Sequence, residues 1–413
     1  AAYQRALSTV SNNIANVSTD GYSRQDVALQ SNTPAKAANS YLGTGVMFTA
    51  VKRQYDEFAE SNLRKSTSDL MSQDPLVNYS QRVMDLMGDK SVGLSSALDQ
   101  FFASASGLAA DPASTVQRGS FLRSSDGLAS RFAELSGQLD LIGEETTQAL
   151  NSAAGQFNTL TEQLALVNAN LSKASRLQNQ PSELLDRRDL LLRQMSEFAG
   201  LKTTFENNGV VSVSLGATAN QSVVVSGDKA RPIGVDTSTV GKIELVLDPY
   251  GKTESLASVS SGTIGGLSGF ITNVLEPAHK SLNFLATTLV NEVNKVQTSG
   301  IDGYGEVGYN LFAIDPAVVN EAAGVKVALN DAMRIATAAQ FRVSETETNT
   351  GAVKASLTFT PKPASALLGN AAITNNASPS TGVPIVVQGF NVFSPVTSVA
   401  AGMNNATFYL DNA

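Results

Sequence analysis

Residues 128–142, LASRFAELSGQLDLI, and residues 160–174, LTEQLALVNANLSKA, contain the pattern that decides the fold. Their apolar side chains recur at alternating steps of four and three residues. These side chains are Leu128, Phe132, Leu135, Leu139 and Ile142, followed by Leu160, Leu164, Val167, Leu171 and Ala174. This heptad spacing is typical of helices that pack along a seam. Since no proline interrupts residues 113–180, we expect a long helix there, roughly 90 Å at ~1.5 Å per residue.

Further helices are predicted from the same apolar periodicity. They cover residues 3–17, 55–87, 94–109, 181–198 and 265–296. In the last of them the expected buried face consists of Leu282, Leu285, Leu289, Val293 and Val296.

The apolar period changes to two between residues 201 and 262, where Val211, Val213 and Leu215 alternate with serines after an Asn-Gly turn. Strands and loops are also expected in residues 24–54 and 313–413. The predicted fold class is therefore α+β and multidomain. It combines an elongated rod of long antiparallel, coiled-coil-like helices with β-rich outer domains.

Composition and charge exclude several functional classes. The 413-residue chain has 29 Lys and Arg against 37 Asp and Glu, a net charge of −8, without a basic stripe. Nucleic acid and an anionic membrane surface are therefore not expected as partners. The lack of cysteine and the single histidine, His279, rule out disulfides, thiolate metal sites and multi-histidine sites. No segment reaches the ~18–20 apolar residues of a membrane span, and we expect no cleavable secretion signal.

Several segments that resemble chemical sites are better explained structurally. Residues 262–269, GTIGGLSG, lack the lysine of a phosphate-binding loop and are interpreted as a flexible segment before a helix. Residues 302–310, DGYGEVGYN, lack EF-hand spacing and are interpreted as a turn-rich connection. Asp186 and Asp189 place like charges on one helix face, so we expect arginine partners nearby. The sequence contains no catalytic motif that we can identify, and neither a cofactor nor an enzymatic activity is expected.

Residues 11–25, SNNIANVSTDGYSRQ, form the most distinctive polar segment. Asparagine is unfavourable inside a helix, yet Asn12, Asn13 and Asn16 lie where the first helix is predicted to end. One interpretation is a frayed helix end. The interpretation that we favour is that these side chains set the register of neighbouring subunits or chain segments.

The same segment resembles the N-terminal motif of flagellar rod, hook and hook-associated proteins. In those families a helix ends in Asn-Asn-Ile-Ala-Asn and is followed by Gly-Tyr and a basic residue. The resemblance implies that the matching residues form an assembly interface in the axial structure of the flagellum. They are Asn12, Asn13, Ile14, Asn16, Gly21, Tyr22 and Arg24.

Other segments resemble the first hook-associated proteins, the family that joins hook to filament. They are residues 42–64, 98–114, 181–201 and 265–312, and the similarity follows the family's order through residues 1–312. The resemblance implies a non-enzymatic structural subunit that acts as a mechanical adaptor. It implies a ring of identical subunits that contacts the hook protein and the adjacent hook-associated junction protein. It also implies binding of an export chaperone through a C-terminal region, and type III export to the extracellular flagellum without a cleaved signal peptide.

The resemblance and the changes of periodicity divide the chain into five expected segments. Residues 1–30 form an N-terminal axial helix segment, and residues 31–200 form a linker hairpin and a long-helix rod domain. Residues 201–262 form a small β unit. Residues 263–312 supply a return helix that packs on the rod domain, and residues 313–413 form a β-rich outer domain. We expect this outer domain to be truncated, and the first residues and the C-terminal partner helix of the family to be missing.

Alternatives remain open at this point. A hook or distal rod protein would share residues 11–25 but lack the heptad rod and the LLDRRD segment at residues 184–189. A surface adhesin would use the β-rich residues 313–413 to bind glycans. A peptidoglycan hydrolase is the least implausible enzyme, because a pair of catalytic carboxylates need only be close in the fold.

Overall fold

The computed structural model describes most of the chain up to residue 345 and several short strands beyond it. The described residues are 2–32, 35–37, 40–42, 45–88, 93–215, 222–239, 242–256, 259–339, 341–345, 356–361, 374–375 and 405–410. The chain forms two compact units, which we call the first unit (Ala1–Met84 with Leu139–Ala278) and the second unit (Asp85–Gln138 with His279–Ala413). Helices and small β-sheets occur in both units, which confirms the predicted α+β class.

Every predicted helix is found, and most of the ends lie close to the expected residues. The helices are α1 (Ala2–Ala15), α2 (Glu57–Gly88), α3 (Leu94–Ala110), α4 (Thr115–Leu171), α5 (Ser182–Phe198), α6 (Gly262–Phe270) and α7 (Glu276–Thr298).

Helix α4 contains the heptad pattern and passes through both units. It has 57 residues, which at ~1.5 Å per residue gives a length of about 85 Å. Its heptad side chains form buried core, because six of them are no more than 1% exposed: Leu128, Phe132, Leu135, Leu139, Leu164 and Leu171. Each such leucine contributes roughly 1.5–3 kcal/mol through burial. The prediction of a long helix packed along an apolar seam is therefore confirmed.

The C-terminal end of α4 lies at Leu171, earlier than the sequence predicts. The side-chain nitrogen of Gln180 donates hydrogen bonds to the carbonyl oxygens of Leu171 and Asn208. A last-turn carbonyl is thereby satisfied without further helix. The polar residues that follow form turns and a short 3₁₀ helix, Leu177–Asn179.

The interpretation of residues 262–269 as a flexible segment is wrong, because these residues form helix α6. Their glycines allow close backbone contact within the first unit. A Cβ atom on Gly262 would lie 2.3 Å from the backbone of Phe198, and one on Gly266 would lie 2.2 Å from the carbonyl oxygen of Ser72. Since real Cβ atoms do not approach so closely, helix α6 packs against α5 and α2 only because its contacting residues are glycines. A π-helical turn, Ile271–Leu275, connects α6 to α7.

The predicted buried face of α7 is partly wrong. Leu282, Ala286 and Val290 are buried, whereas Leu285 and Val296 are 40% and 71% exposed. The buried face is displaced by about one residue from the predicted one. It includes Ala286, whose small side chain does not stand out in a pattern of large apolar residues.

The first unit contains several small antiparallel sheets. Strands β1 (Gln25–Ser31) and β4 (Val46–Arg53) pair with a bulge at Ala28/Leu29, and β2 (Ala35–Ala37) pairs with β3 (Ser40–Leu42). The strands expected between residues 201 and 262 form one four-stranded and one three-stranded sheet. They are β5 (Lys202–Phe205), β6 (Val211–Ser214), β7 (Val223–Ser226) and β8 (Lys229–Ala230), followed by β9 (Ile233–Asp236), β10 (Glu244–Leu247) and β11 (Glu254–Ser255). The predicted Asn-Gly turn is present, with Gly209 at φ +88°.

The second unit has short strand pairs next to its helices. Strand β12 (Gly300–Ile301) pairs with β15 (Ala338–Ala339), and β13 (Phe312–Ile314) pairs with β14 (Val325–Val327). A sheet in the order β16-β19-β17-β18 comprises Phe341–Glu345, Asn405–Leu410, Ser356–Pro361 and Thr374–Asn375. Strands β14 to β19 lie within residues 313–413, where strands are expected, whereas residues 346–355, 362–373 and 376–404 of that region lie outside the described residues.

Candidate assembly interface

Helix α1 presents an exposed row of apolar side chains. Four apolar side chains at steps of three and four residues are between 51% and 80% exposed: Leu7, Val10 and Ile14 in the helix, and Val17 just after its end. Tyr3 continues the row and is also exposed, whereas Thr9 is buried. An apolar row at heptad spacing is a surface that a partner helix can cover.

Asn13 connects α1 to the first strand through both groups of its carboxamide. Its nitrogen donates to the carbonyl oxygen of Gln25 at 2.8 Å, and its oxygen accepts from the backbone N–H of Gln25 at 2.9 Å. The hydroxyl of Tyr22 donates to the same oxygen at 2.9 Å. Asn13, which we expected to set the register of subunits or chain segments, therefore aligns two segments of one chain, α1 and β1.

The same pairing recurs elsewhere, and we call it an asparagine clamp: a helix asparagine that both donates to and accepts from the backbone of one strand residue. The further clamps join Asn168 to Val211, Asn158 to Ile233, and Asn294 to Phe312, at distances of 2.8–3.1 Å. In every case, including Gln25, the clamped residue is the first of its strand. The clamp therefore gives hydrogen-bond partners to the backbone N–H and C=O of the first strand residue, which would otherwise need water as a partner.

Asn16 and Gly21 shape the loop after α1. The Asn16 side chain donates to the carbonyl oxygen of Asn12 at 3.0 Å, and the same oxygen also accepts from the backbone N–H of Asn16 at the end of the helix. Gly21 has φ +79°, a conformation that glycine adopts without strain. A Cβ atom at this position would lie 3.0 Å from Cβ of Leu190, so the loop rests directly on α5.

Tyr22 of the motif bonds to Asn13 and lies near two acidic residues of α5. Burial raises the pKa of its phenol above the usual 10.0, and the nearby carboxylates of Asp186 and Glu183 raise it further. The phenol therefore stays protonated at neutral pH and remains a donor to Asn13.

A groove of about 480 Å³ lies between α1 and the loop that follows it. We call it the docking groove. Its lining combines part of the exposed apolar row with motif residues: Val10, Asn13, Ile14, Val17, Tyr22 and Arg24. The structure thus brings Asn13, Ile14, Tyr22 and Arg24 to one site. Asn12, Asn16 and Gly21 do not line the groove. Asn16 and Gly21 instead shape the loop that follows α1.

A buried ionic cluster lies behind the motif, and we call it the Arg53 network. Nη2 of Arg53 is 2.8 Å from Asp186 and 2.7 Å from Asp189, and it donates to the Ser23 hydroxyl at 3.0 Å. Asp189 also accepts from Arg188, which donates to the carbonyl oxygen of Gly209 at 2.7 Å. The arginine partners expected for Asp186 and Asp189 are therefore present.

Residues 302–310 form the turn-rich connection expected from the sequence. Asp302 accepts hydrogen bonds from the backbone of Tyr304 and Glu306 and pairs with Arg334 at 3.1 Å. Among the described residues no group of three or more His, Cys, Asp or Glu side chains could hold a metal ion. Within the same part of the chain, no helix has the length and apolar character needed to cross a membrane.

Sequence reasoning missed several residues of this region. Val10 and Val17 line the groove, and their heptad spacing with Ile14 was the signal that could have identified them. Arg53 carried no such signal, because its role depends on Asp189, 136 residues away in sequence, and Ser23 takes part only through its contact with Arg53.

Comparison with known proteins gives consistent results. Residues 80–312 match the family described as flagellar hook-associated protein FlgK helical domain, and residues 1–22 match the flagella basal body rod protein family. Flagellar hook-associated protein 1 of Salmonella typhimurium is 27% identical over 325 residues, which covers 77% of this chain and 58% of that protein. The protein of the same name in Bacillus subtilis is 25% identical and is covered to 68%.

A solved structure shows the same fold. The flagellar hook junction protein FlgK from Burkholderia pseudomallei superposes with a TM-score of 0.58 at 20% identity, covering 71% of this chain and 69% of that one. The present chain spans somewhat less than two thirds of the Salmonella relative's length. Because the helical-domain family covers residues 80–312, more than half of the sequence, the chain belongs to the FlgK family of flagellar hook-associated proteins.

Proposed function

We propose that this chain is a structural subunit at the junction between the flagellar hook and filament. Its role is mechanical and not catalytic: it adapts the bending hook to the stiffer filament. The names of the relatives, hook-associated protein 1 and hook junction protein, support this role. In this proposal the protein works outside the cell and reaches the flagellum by type III export without a cleaved signal peptide.

The observation that carries the proposal is the docking groove with its exposed apolar row. A helix that leaves Leu7 and Ile14 at 71% and 69% exposure is poorly suited to stand alone in water. We propose that a neighbouring axial subunit covers this row. The predicted interface residues then divide into two groups. Asn12, Ile14 and Arg24 lie at the surface, where they can contact the partner, whereas Asn13, Asn16, Gly21 and Tyr22 hold the surface in shape.

The proposed partners are further copies of the chain in a ring, the hook protein and the adjacent hook-associated junction protein. An export chaperone would bind through a C-terminal region of the family. The elongated rod and the five-segment division stay predictions, as does the packing of residues 263–312 on the rod domain.

The test is electron microscopy of cells that lack the full-length gene, complemented with wild-type or variant genes. We expect bare hooks in the deletion strain and filaments after complementation. Ile14→Ala should reduce the number of filaments at least about tenfold, because it removes apolar area from the centre of the groove, while Val116→Ala, at an exposed apolar position of α4, should not. Missing hooks would indicate a hook or rod protein instead, and normal filaments in the deletion strain would contradict any axial role.

A further inference from the structure

The strand pair that supports the docking groove has no apolar core of its own. No apolar side chain of β1 or β4 is buried. A two-stranded sheet of this kind is marginally stable in water unless it is fixed to other elements. Its position in the first unit therefore depends on a few defined contacts.

Arg53, the last residue of β4, makes the most concentrated of these contacts. One nitrogen atom, Nη2, contacts Ser23 of the motif loop and both Asp186 and Asp189 of α5. The side chains of Arg53 and Asp189 are 8% and 3% exposed, so the contacts are shielded from water. Next to it, the N–H of Gln54 donates to the carbonyl oxygen of Arg24 at 2.8 Å, which joins the end of β4 to the loop lining the groove.

The charges of the Arg53 network are balanced. Arg53 and Arg188 face Asp186 and Asp189, so the cluster of four is neutral. Buried ion pairs of this kind add little net stability compared with apolar packing, since desolvation opposes their attraction. What they provide is a defined geometry, because a shifted register would leave a buried charge without its counter-ion. Such a cluster is therefore better explained by a role in positioning the β1–β4 pair than by a contribution to stability.

We propose that Arg53 is a positioning residue that mounts the docking groove on α5. A load applied at the groove is then transmitted to the helical part of the first unit and is not absorbed by bending of the β1–β4 pair. The inference rests on the proposed function, because it assumes that a partner occupies the groove.

The first measurement is amide hydrogen exchange on the purified chain. We expect Arg53→Gln to accelerate exchange in β1 and β4 at least about tenfold, while α4 and α5 keep their wild-type rates. Arg53→Lys should remain within about threefold of wild type, because lysine keeps the positive charge beside Asp186 and Asp189 and its ammonium can donate hydrogen bonds to the same groups. Arg82→Gln is the matched control, since it removes an exposed ion pair with Glu145 from the same unit. Equal exchange in β1 and β4 for Arg53→Gln and wild type would overturn the proposal.

The second measurement is filament assembly with the same variants in the full-length protein. We expect Arg53→Gln to lose filaments to a similar extent as Ile14→Ala, and Arg53→Lys to restore them. Normal assembly with Arg53→Gln but not with Ile14→Ala would overturn the mounting role and leave the interface intact. Normal assembly with Ile14→Ala would overturn the docking function itself. Should Arg53→Gln unfold the whole unit, Ser23→Ala removes one contact, leaves the charges balanced and is expected to give the same local exchange in weaker form.

Discussion

The carboxamide of asparagine has a donor and an acceptor side by side, as a strand residue does, and the chain uses this similarity repeatedly. In Asn13, Asn158, Asn168 and Asn294 the carboxamide pairs with the leading residue of a strand. Asparagine inside or at the end of a helix costs helix propensity. The two hydrogen bonds offset that cost, and they explain why a residue unfavourable in helices stands at these positions.

The clamp at Asn168 is the most deeply buried and offers the sharpest test at this scale. Asn168→Ala would leave the N–H and C=O groups of Val211 and the carbonyl of Gly227 without their partner. We expect a loss of about 2–4 kcal/mol in the free energy of unfolding, since each buried unpaired polar group costs about 1–3 kcal/mol. Urea denaturation followed by circular dichroism measures it. Asn170→Ala, two residues along the same helix at an exposed position, should change stability by less than about 0.5 kcal/mol.

At the scale of elements, glycine has opposite effects in two helices of the first unit. In α6 it permits backbone contact with α2 and α5, whereas at Gly155 of α4 it serves no such purpose, because a Cβ atom there would meet nothing within 4 Å. The same residue type therefore indicates close packing in one helix and only lost helix propensity in the other.

We expect Gly266→Ala to destabilise the protein by about 1–3 kcal/mol, because its Cβ would overlap the carbonyl oxygen of Ser72 and force α6 away from α2. Gly155→Ala should instead stabilise by about 0.5–1 kcal/mol through helix propensity. Thermal unfolding of both variants distinguishes the effects by sign. A stabilising Gly266→Ala would show that α6 is not held at its contact with α2.

The sequence predicts elements whose signal is local and misses those that depend on distant partners. The heptads of α4 and the alternation at Val211 and Val213 predict a helix and a strand correctly, because period and burial coincide. The sequence predicts α6 only from residue 265 and interprets residues 262–269 as flexible, because glycine has a low helix propensity. The contacts with Phe198 and Ser72 that favour helix there are not visible in the sequence. At the candidate site, the motif residues could be identified from their pattern. Their division into groove-lining and supporting residues follows from hydrogen bonds that no spacing reveals.

At the scale of the whole molecule, several carboxylates in the two units have a pKa below its usual value. For Asp236, Asp315 and Asp331 the first cause is a hydrogen bond from a backbone N–H two residues later, and for Glu145 it is the hydrogen bond from Arg82. A depressed pKa means that the folded state favours the ionised form. The stability from these groups is present above their unfolded values, 3.8 for the aspartates and 4.5 for Glu145, and is lost as the pH falls through the lower, folded values.

The melting temperature should therefore stay nearly constant from about pH 7 to pH 5 and fall below about pH 4. Differential scanning calorimetry over this range measures it. Asp331→Asn keeps the capping oxygen that accepts from Met333 but removes the titration, so its melting temperature should fall less steeply in acid. A melting temperature that rises on acidification would contradict this assignment.

The asparagine clamps also set a chemical limit on the lifetime of the folded chain. Spontaneous deamidation converts a carboxamide to a carboxylate, which keeps the acceptor, loses the donor and adds a negative charge. At Asn13 the new carboxylate would face the carbonyl oxygen of Gln25 and turn an attraction into a repulsion. Bulky or helical neighbours follow these asparagines in sequence, as in Asn13-Ile14, and no glycine does. Hydrolysis through a cyclic imide is slowed by such neighbours, so the folded chain keeps its clamps intact for longer.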